Sequence, residues 1–225
     1  MQPTARTLAL VASALLLPAC GMFSGQDKSL AQVDDLVSCI ERVHVDSELA
    51  KQAATLAMSR LQAMVAPDFQ SDAVLAHAEL VRAIEDAEKQ AKDLRYSVDR
   101  MKRAADPVFS RWTRDIQAMQ SPEIKQRSQT RFDETKARYD AIVEAVDPTL
   151  RAYDTFNRGI KDHALFLGHD FNPSAVATIE AEVRKLAGSS QELGSGFDRC
   201  MQSARAYVDS AALPMRVEAA RPAPR

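Results

Sequence analysis

The chain has 225 residues, with 29 basic and 31 acidic side chains and a formal net charge of −2 at pH 7. This near-neutral balance argues against a nucleic-acid-binding protein, which favours a clearly basic surface. The chain has only 7 glycines and 6% aromatic residues, and it is rich in residues that favour helices. These numbers predict one all-α domain of about two hundred residues after an N-terminal signal.

A short apolar run at residues 8–17 ends in the tetrapeptide Leu-Pro-Ala-Cys, whose cysteine is Cys20. The run has the length of a signal-peptide apolar region and is too short to span a bilayer. The pattern is typical of a bacterial lipoprotein, so we predict that residues 1–19 are a signal peptide and that Cys20 is lipidated. The alternative is an ordinary secretory signal that leaves Cys20 as a free thiol.

The residue after the predicted lipidated cysteine is Gly21 rather than the aspartate that retains enteric lipoproteins in the inner membrane. We therefore expect an outer-membrane lipoprotein that faces the periplasm, with a soluble periplasmic or secreted protein as the alternative. The expected partners are the membrane, through the lipid, and an unidentified envelope protein. We predict a polar tether at residues 20–29.

Four helix-length periodic segments follow, with sequence breaks at residues 66–68, 120–122 and 172–173. They predict helices at roughly 30–65, 72–119, 123–168 and 174–211. Their apolar residues alternate at spacings of three and four, which favours coiled-coil-like packing. Since short turns make neighbouring helices antiparallel, we predict an elongated four-helix bundle over residues 30–212, followed by a disordered tail at 213–225.

The second and third predicted helices are longer than the others by about ten residues, so their hairpin should project roughly 15 Å beyond the bundle. This projection lies at the end where the tether begins. Its tip carries five large apolar residues: Phe109, Trp112, Ile116, Met119 and Phe132. We expect them to pack mainly against one another, with a partner-binding or membrane-facing tip as the alternative.

Two further cysteines, Cys39 and Cys200, lie on or beside the apolar seams of the first and last helices. Counted from the end that these helices share, they are about 27 and about 26 residues along, so they should be level. In an oxidising compartment this position predicts a disulfide between them. The alternative is two buried free thiols.

The sequence offers little for metal or catalytic chemistry. A di-metal site in a bundle needs two Glu-x-x-His motifs, and one is present here, Glu41 to His44. We therefore expect no metal site and no cofactor, with Glu41 and His44 as the weak metal candidates. There is no phosphate-binding loop and no nucleophile motif. A non-enzymatic interaction or structural role is favoured over a ligand- or metal-binding bundle, with or without catalysis.

The segment from Asp162 to Val176 resembles a pattern found in a bacterial family called domain of unknown function 2959. Further matches are Phe109, Trp112, Ile116, Ser128, Phe132, Thr135, Arg138, Tyr139, Pro148 and Leu150. The resemblance implies a helical, envelope-associated and often lipoprotein-like protein, and it implies no established activity.

The resemblance makes Asp162, His169 and Asn172 the candidate residues of the turn between the third and fourth helices. The chain departs from the family at Gly168, where lysine is usual, and at Asp170, where asparagine is usual. We expect the three candidates to cap helices, and Asn172 before Pro173 is well suited to begin the fourth helix.

Overall fold

The computed structural model describes residues 24–211, with side chains described from residue 30 onward, and this part of the chain forms four helices and no strand. The helices are α1 (Ser24–Val65), α2 (Ala73–Ala118), α3 (Pro122–His169) and α4 (Pro173–Ala211). The predicted all-α architecture is confirmed. The predicted signal peptide, the lipidation site Cys20 and the predicted tail at 213–225 lie outside the described residues.

The first helix begins earlier than predicted. It starts at Ser24 rather than near residue 30, so most of the predicted tether at 20–29 is helical. The residues from Ser24 to Lys28 are polar or small, and their lack of apolar periodicity hid the helix from a pattern-based reading. The other boundaries agree with the prediction to within two residues.

Side-chain caps begin the later three helices. Asp72, Ser121 and Asn172 each accept a hydrogen bond from the amide three residues further on, at 2.9, 3.3 and 3.0 Å respectively. Proline occupies the first position of α3 and of α4, where the missing N–H would have had no partner within the helix. The three turns are short as a result, and neighbouring helices run antiparallel.

Two prolines lie inside helices, Pro107 in α2 and Pro148 in α3, and both helices continue through them. Both prolines are exposed, and the apolar pattern continues in phase on either side. The loss of a backbone donor at each position therefore does not end the helix, as the sequence pattern indicated.

The helices form a square bundle in which α1 and α3 each pack against both α2 and α4. The inward face of α1 shows why the bundle closes, because its buried positions alternate at spacings of four and three along the helix. These positions are Leu36, Ile40, Val43, Ser47, Ala50, Ala54, Ala57, Leu61 and Met64. The alanines at the centre of this seam allow the neighbouring helices to approach closely.

Charged pairs between neighbouring helices show how the helices are aligned. Lys51 contacts Asp198 across the α1–α4 interface at 2.6 Å, and Lys102 contacts Asp147 across the α2–α3 interface at 3.0 Å. Such exposed pairs contribute only about 0–1 kcal/mol each. They therefore show how the helices are aligned but contribute little to fixing that alignment. None of the described helices is long and apolar enough to cross a membrane.

Helices α3 and α4 approach each other closely at Gly196. A Cβ atom built on Gly196 would lie 2.7 Å from Thr149 Oγ1, which itself donates a hydrogen bond to the Ala145 carbonyl at 2.7 Å. Gly196 and Thr149 are both buried, so neither neighbour can move into solvent. By contrast, a Cβ on Gly188 of the same helix would meet nothing within 4 Å.

These two glycines give a matched test. Replacing Gly188→Ala should raise the free energy of unfolding by up to about 1 kcal/mol, because alanine favours the helix. Replacing Gly196→Ala should lower it by about 1–3 kcal/mol, since the clash with Thr149 outweighs the same helical gain. Urea denaturation followed by circular dichroism measures both. A stabilised Gly196→Ala protein would contradict the close α3–α4 approach.

Candidate functional site

The hairpin of α2 and α3 ends in an aromatic cluster. The ring of Phe132 stands edge-on to both Phe109 and Trp112, at centroid distances of 5.9 and 5.6 Å, and Phe109 also contacts Tyr139 at 5.3 Å. The indole N–H of Trp112 donates to Ser128 Oγ at 3.0 Å. Aromatic pairs of this kind contribute about 0.5–1.5 kcal/mol each beyond the burial of their area.

The five predicted tip residues are therefore mostly internal to the hairpin. Phe109 and Ile116 are buried, and Trp112, Met119 and Phe132 are half-buried. Beyond the end of α4 the bundle lacks its fourth helix, and here the aromatic rings cover the inner faces of α2 and α3. Their packing holds α2 and α3 together at the tip.

The hairpin extends past α4 but not past α1. Cys200 of α4 lies 3.6 Å from Thr149, so Ala211 is level with about residue 138 of α3, and α3 continues about 20 Å further. The α1 helix instead accompanies the hairpin, because Cys39 lies beside Arg100 and Ser24 is therefore level with about residue 115 of α2. The predicted projection is thus correct relative to α4 and wrong relative to α1.

The outside of the tip is basic, although the chain as a whole is slightly acidic. Residues 110–131 contain five basic and two acidic side chains, whereas residues 66–93, at the opposite end of α2, contain three basic and seven acidic ones. Lys125, Arg127 and Arg131 are exposed, and within the described part of the chain no carboxylate forms an ion pair with them. The whole-chain charge conceals this separation, which a count by segment would have revealed.

The predicted Cys39–Cys200 disulfide is wrong: both cysteines are buried free thiols. The Lys51–Asp198 contact makes Cys200 level with about residue 49 of α1, roughly ten residues or 15 Å from Cys39. The prediction assumed that α1 and α4 share a level end, whereas α4 begins about ten residues beyond the level of Val65. Cys39 faces the α2 interface, and Cys200 faces α3.

Burial raises the pKa of both thiols. For Cys39 the loss of solvation is reinforced by Asp35 and opposed by Arg100, and for Cys200 it is opposed by the contact with Thr149. Since the thiolate is the reactive form, both side chains are poor nucleophiles in the folded protein.

A layer of buried polar groups lies near the middle of the bundle. Asp46 is 6% exposed and accepts a short hydrogen bond from the Ser97 hydroxyl across the α1–α2 interface. Ser47 and Tyr153 are also buried, and their hydroxyl groups have no hydrogen-bond partner among the described residues. Burial raises the pKa of Tyr153, because the charged phenolate would lie in the apolar core.

The turn between α3 and α4 is built from capping contacts. Asn172 begins α4 by accepting from the Ala175 amide at 3.0 Å, and its side-chain amide donates a short hydrogen bond to Asp170. Asp162 and His169 are both exposed on α3, and His169 lies in the last turn of that helix, where a basic residue suits the helix dipole. The three candidate residues therefore do not converge on a common pocket.

A ring contact ties this turn to the other turn at the same end of the bundle. Phe69 and Phe171 meet edge-on at a centroid distance of 5.3 Å. His77 Nε2 lies 2.8 Å from the Ala164 carbonyl, and a Cβ on Gly168 would approach the same imidazole to 3.0 Å. The glycine that departs from the family pattern thus makes room for His77.

The weak metal candidates are not part of a larger ligand set. Glu41 is exposed, and His44 is half-buried with an Nδ1 that has no partner among the described residues. No group of three or more His, Cys, Asp or Glu side chains able to hold a metal ion occurs in the described part of the chain.

The fold and these surfaces define an elongated, all-α four-helix bundle with a basic hairpin end. Residues 26–211 match the family described as "Protein of unknown function (DUF2959)", and the chain belongs to that family. The match covers almost the whole of the described bundle. It confirms the family that the turn and hairpin residues indicated. No curated protein and no solved structure matches the chain.

The cysteine environments lead to a thiol-counting prediction. An unreduced chain carrying Cys20→Ser should react at two thiols after denaturation, because Cys39 and Cys200 are not bonded to each other. The same protein should react slowly when folded, since both thiols are buried and their pKa values are raised. Thiols that appear only after reduction would contradict the structure.

The unpartnered hydroxyl of Tyr153 leads to a stability prediction. Tyr153→Phe should raise the free energy of unfolding by about 1 kcal/mol, because it removes a buried polar group without a partner. Tyr96 is 61% exposed, so Tyr96→Phe is the matched control and should change little. Thermal unfolding of the two variants and the parent makes the comparison.

The gain in the free energy of unfolding from Tyr153→Phe should grow at alkaline pH. The folded pKa of Tyr153 is raised above the ordinary value of 10.0, so the phenol ionises first in the unfolded chain. The parent therefore loses stability as the pH rises above 10.0, and Tyr153→Phe lacks the part of this loss that Tyr153 causes. A gain that shrinks on going from neutral to alkaline pH would contradict the burial of this hydroxyl.

Proposed function

We propose that the protein is a lipid-anchored, non-enzymatic structural component of the bacterial envelope, a stiff spacer tethered through Cys20. The observation that carries this proposal is that α1 begins at Ser24, only four residues after the cysteine of the lipoprotein motif. A lipid on Cys20 would therefore attach almost directly to a helix of the bundle. A long flexible linker would instead let the domain move freely.

The alignment of the helices supports a defined orientation for such a spacer. The start of α1 is level with the tip of the α2–α3 hairpin, so the tether and the tip share one end of the molecule. The longest helix, α3, has 48 residues and is about 70 Å long at 1.5 Å per residue. The far end, where the two turns meet through Phe69 and Phe171, would then stand about 70 Å from the lipid.

The hydrogen bonds made by the buried polar groups favour a structural role over a catalytic one. Asp46 and Ser97 bond to each other between helices, and Thr149 bonds to the backbone of its own helix. The first contact links α1 to α2, the second satisfies a hydroxyl within α3, and all three side chains are covered from solvent. The proposed partners are the membrane and an envelope protein, and the proposed location is the periplasmic face of the outer membrane.

Replacing the lipidated cysteine tests the anchor. Cys20→Ser should abolish labelling by a radioactive fatty acid, because the thiol that accepts the lipid is absent. Cys39→Ser is the matched control, because it also removes one thiol but leaves the lipoprotein motif intact; it should remain lipidated and membrane-bound. Unlabelled parent protein, or equal fatty-acid labelling of the parent and Cys20→Ser, would contradict the anchor.

A further inference from the structure

We propose that the tip of the α2–α3 hairpin is a binding surface for the headgroups of anionic phospholipids. The surface consists of Arg114 on α2 and of Lys125, Arg127, Arg131 and the apolar Ile124 on α3. Its expected location beside a membrane rests on the proposed lipid anchor. Its affinity for lipid is a property of the folded chain alone.

The basic side chains of this surface are free to meet a partner. All four are exposed, and in the described part of the chain none of them forms an ion pair with a carboxylate. Arg114 makes a long contact of 3.4 Å with the Ser110 carbonyl of its own helix. Four guanidinium or ammonium groups at the tip therefore form no ion pair among the described residues, in contrast to Lys51, Arg95 and Lys102 further along the bundle.

The side chains are arranged on one end of a rigid support. Ile124, Arg127 and Arg131 follow spacings of three and four, so they lie on one face of α3. Trp112 bonds to Ser128, which makes Arg114 level with about residue 126, between Lys125 and Arg127. The aromatic cluster beneath them fixes the two helices, so the positive charges are held close together without a further loss of backbone freedom.

An apolar residue accompanies the charges at the outermost turn. Ile124 is 57% exposed although it lies in the first turn of a well-capped helix, where Ser121 accepts from its amide at 3.3 Å. A large apolar side chain among basic residues is the combination by which proteins bind at the boundary of headgroups and acyl chains. Phosphate suits the arginines, which bind it through paired N–H donors.

The distribution of charge favours an anionic surface that lies across the end of the bundle. The segment at the opposite end, residues 66–93, carries four more acidic than basic side chains and would be repelled by that surface. The hairpin tip would be attracted, so the long axis would be turned with its basic end toward the lipid. Each basic residue near an anionic membrane strengthens binding by about fivefold.

Vesicle binding of the non-lipidated chain tests the proposal. The protein is the chain from residue 20 onward with Cys20→Ser, which retains every residue of the bundle. Its sedimentation is measured with vesicles of phosphatidylglycerol and phosphatidylcholine in equal parts, and with vesicles of phosphatidylcholine alone. We expect binding to the first and at least tenfold weaker binding to the second, with a loss of binding at about 1 M salt, where charges are screened within 3 Å.

A pair of charge-reversal variants distinguishes the effect of charge at the tip from the effect of the net charge of the chain. Lys125→Glu, Arg127→Glu and Arg131→Glu together should weaken binding by at least tenfold. The control replaces Arg82, Lys92 and Lys185 with glutamate; these residues are also exposed and distant from the tip, and the change in net charge is identical. The control should stay within about threefold of the parent, an allowance for long-range charge effects. Circular dichroism checks that both variants remain helical.

Three results would overturn the proposal: no binding of the parent to anionic vesicles, equal binding to both kinds of vesicle, or equal weakening by the two variants. Ile124→Ser supplies a second measurement and should weaken binding with no change in charge. Because no lipid is attached to the protein in this experiment, its outcome is independent of whether Cys20 is lipidated. Failure of the anchor and failure of the tip are therefore distinguishable.

Discussion

The burial of the inner seam of α1 is the constraint on which the rest of the structure depends. Its apolar residues alternate at spacings of four and three from Leu36 to Met64, and a helix of this length with one apolar face must be covered along that face. The other helices provide the cover, and the small side chains of Ala50, Ala54 and Ala57 let them approach closely. Caps at three turns then fix the antiparallel order without long connections.

The same constraint explains why the hairpin needs a structure of its own. Where α4 ends, the square arrangement loses one side, and α2 and α3 must cover their inner faces by other means. Phe109, Trp112, Phe132 and Tyr139 do this with ring contacts, and Trp112 places its one polar atom on Ser128. The tip is therefore ordered mainly by aromatic packing, whereas the centre of the bundle combines aliphatic seams with buried rings such as Tyr153 and Phe197.

The four helices and their ends at the three turns were predictable from the sequence because they depend on local chemistry. The start of α1 at Ser24 was not, because residues 24–28 carry no apolar period. The caps Asp72, Ser121 and Asn172 and the prolines at the starts of α3 and α4 mark the turns, and the apolar periods mark the faces. The axial alignment of one helix relative to its neighbour was not predictable in this way. Counting residues from a turn assumes level ends, and the Cys39–Cys200 prediction failed because α4 begins beyond the end of α1.

The candidate surface at the tip could not be predicted for a different reason. Each basic residue there is visible in the sequence, but the formal charge of the chain averages them with the acidic far end. They are recognisable as one basic surface only when the fold places residues 111–131 together at one end of the bundle. A buried group such as Asp46 matters for a different reason. Sliding α1 along α2 would separate this carboxylate from Ser97 and leave it the 3.9 Å contact with Arg42 of its own helix, at a penalty of about 1–3 kcal/mol.

The separation of charge along the bundle also bears on how copies of the protein would behave beside one another. Copies held at the same end by the proposed lipid in one membrane would stand parallel, so positive tips would lie at one height and acidic ends at another. Each end then repels the like end of its neighbour over a distance of about 8–10 Å at physiological ionic strength. An antiparallel pair would bring opposite charges together, but a common membrane forbids that arrangement. The charge that would turn each molecule toward the lipid would therefore also keep neighbouring molecules apart.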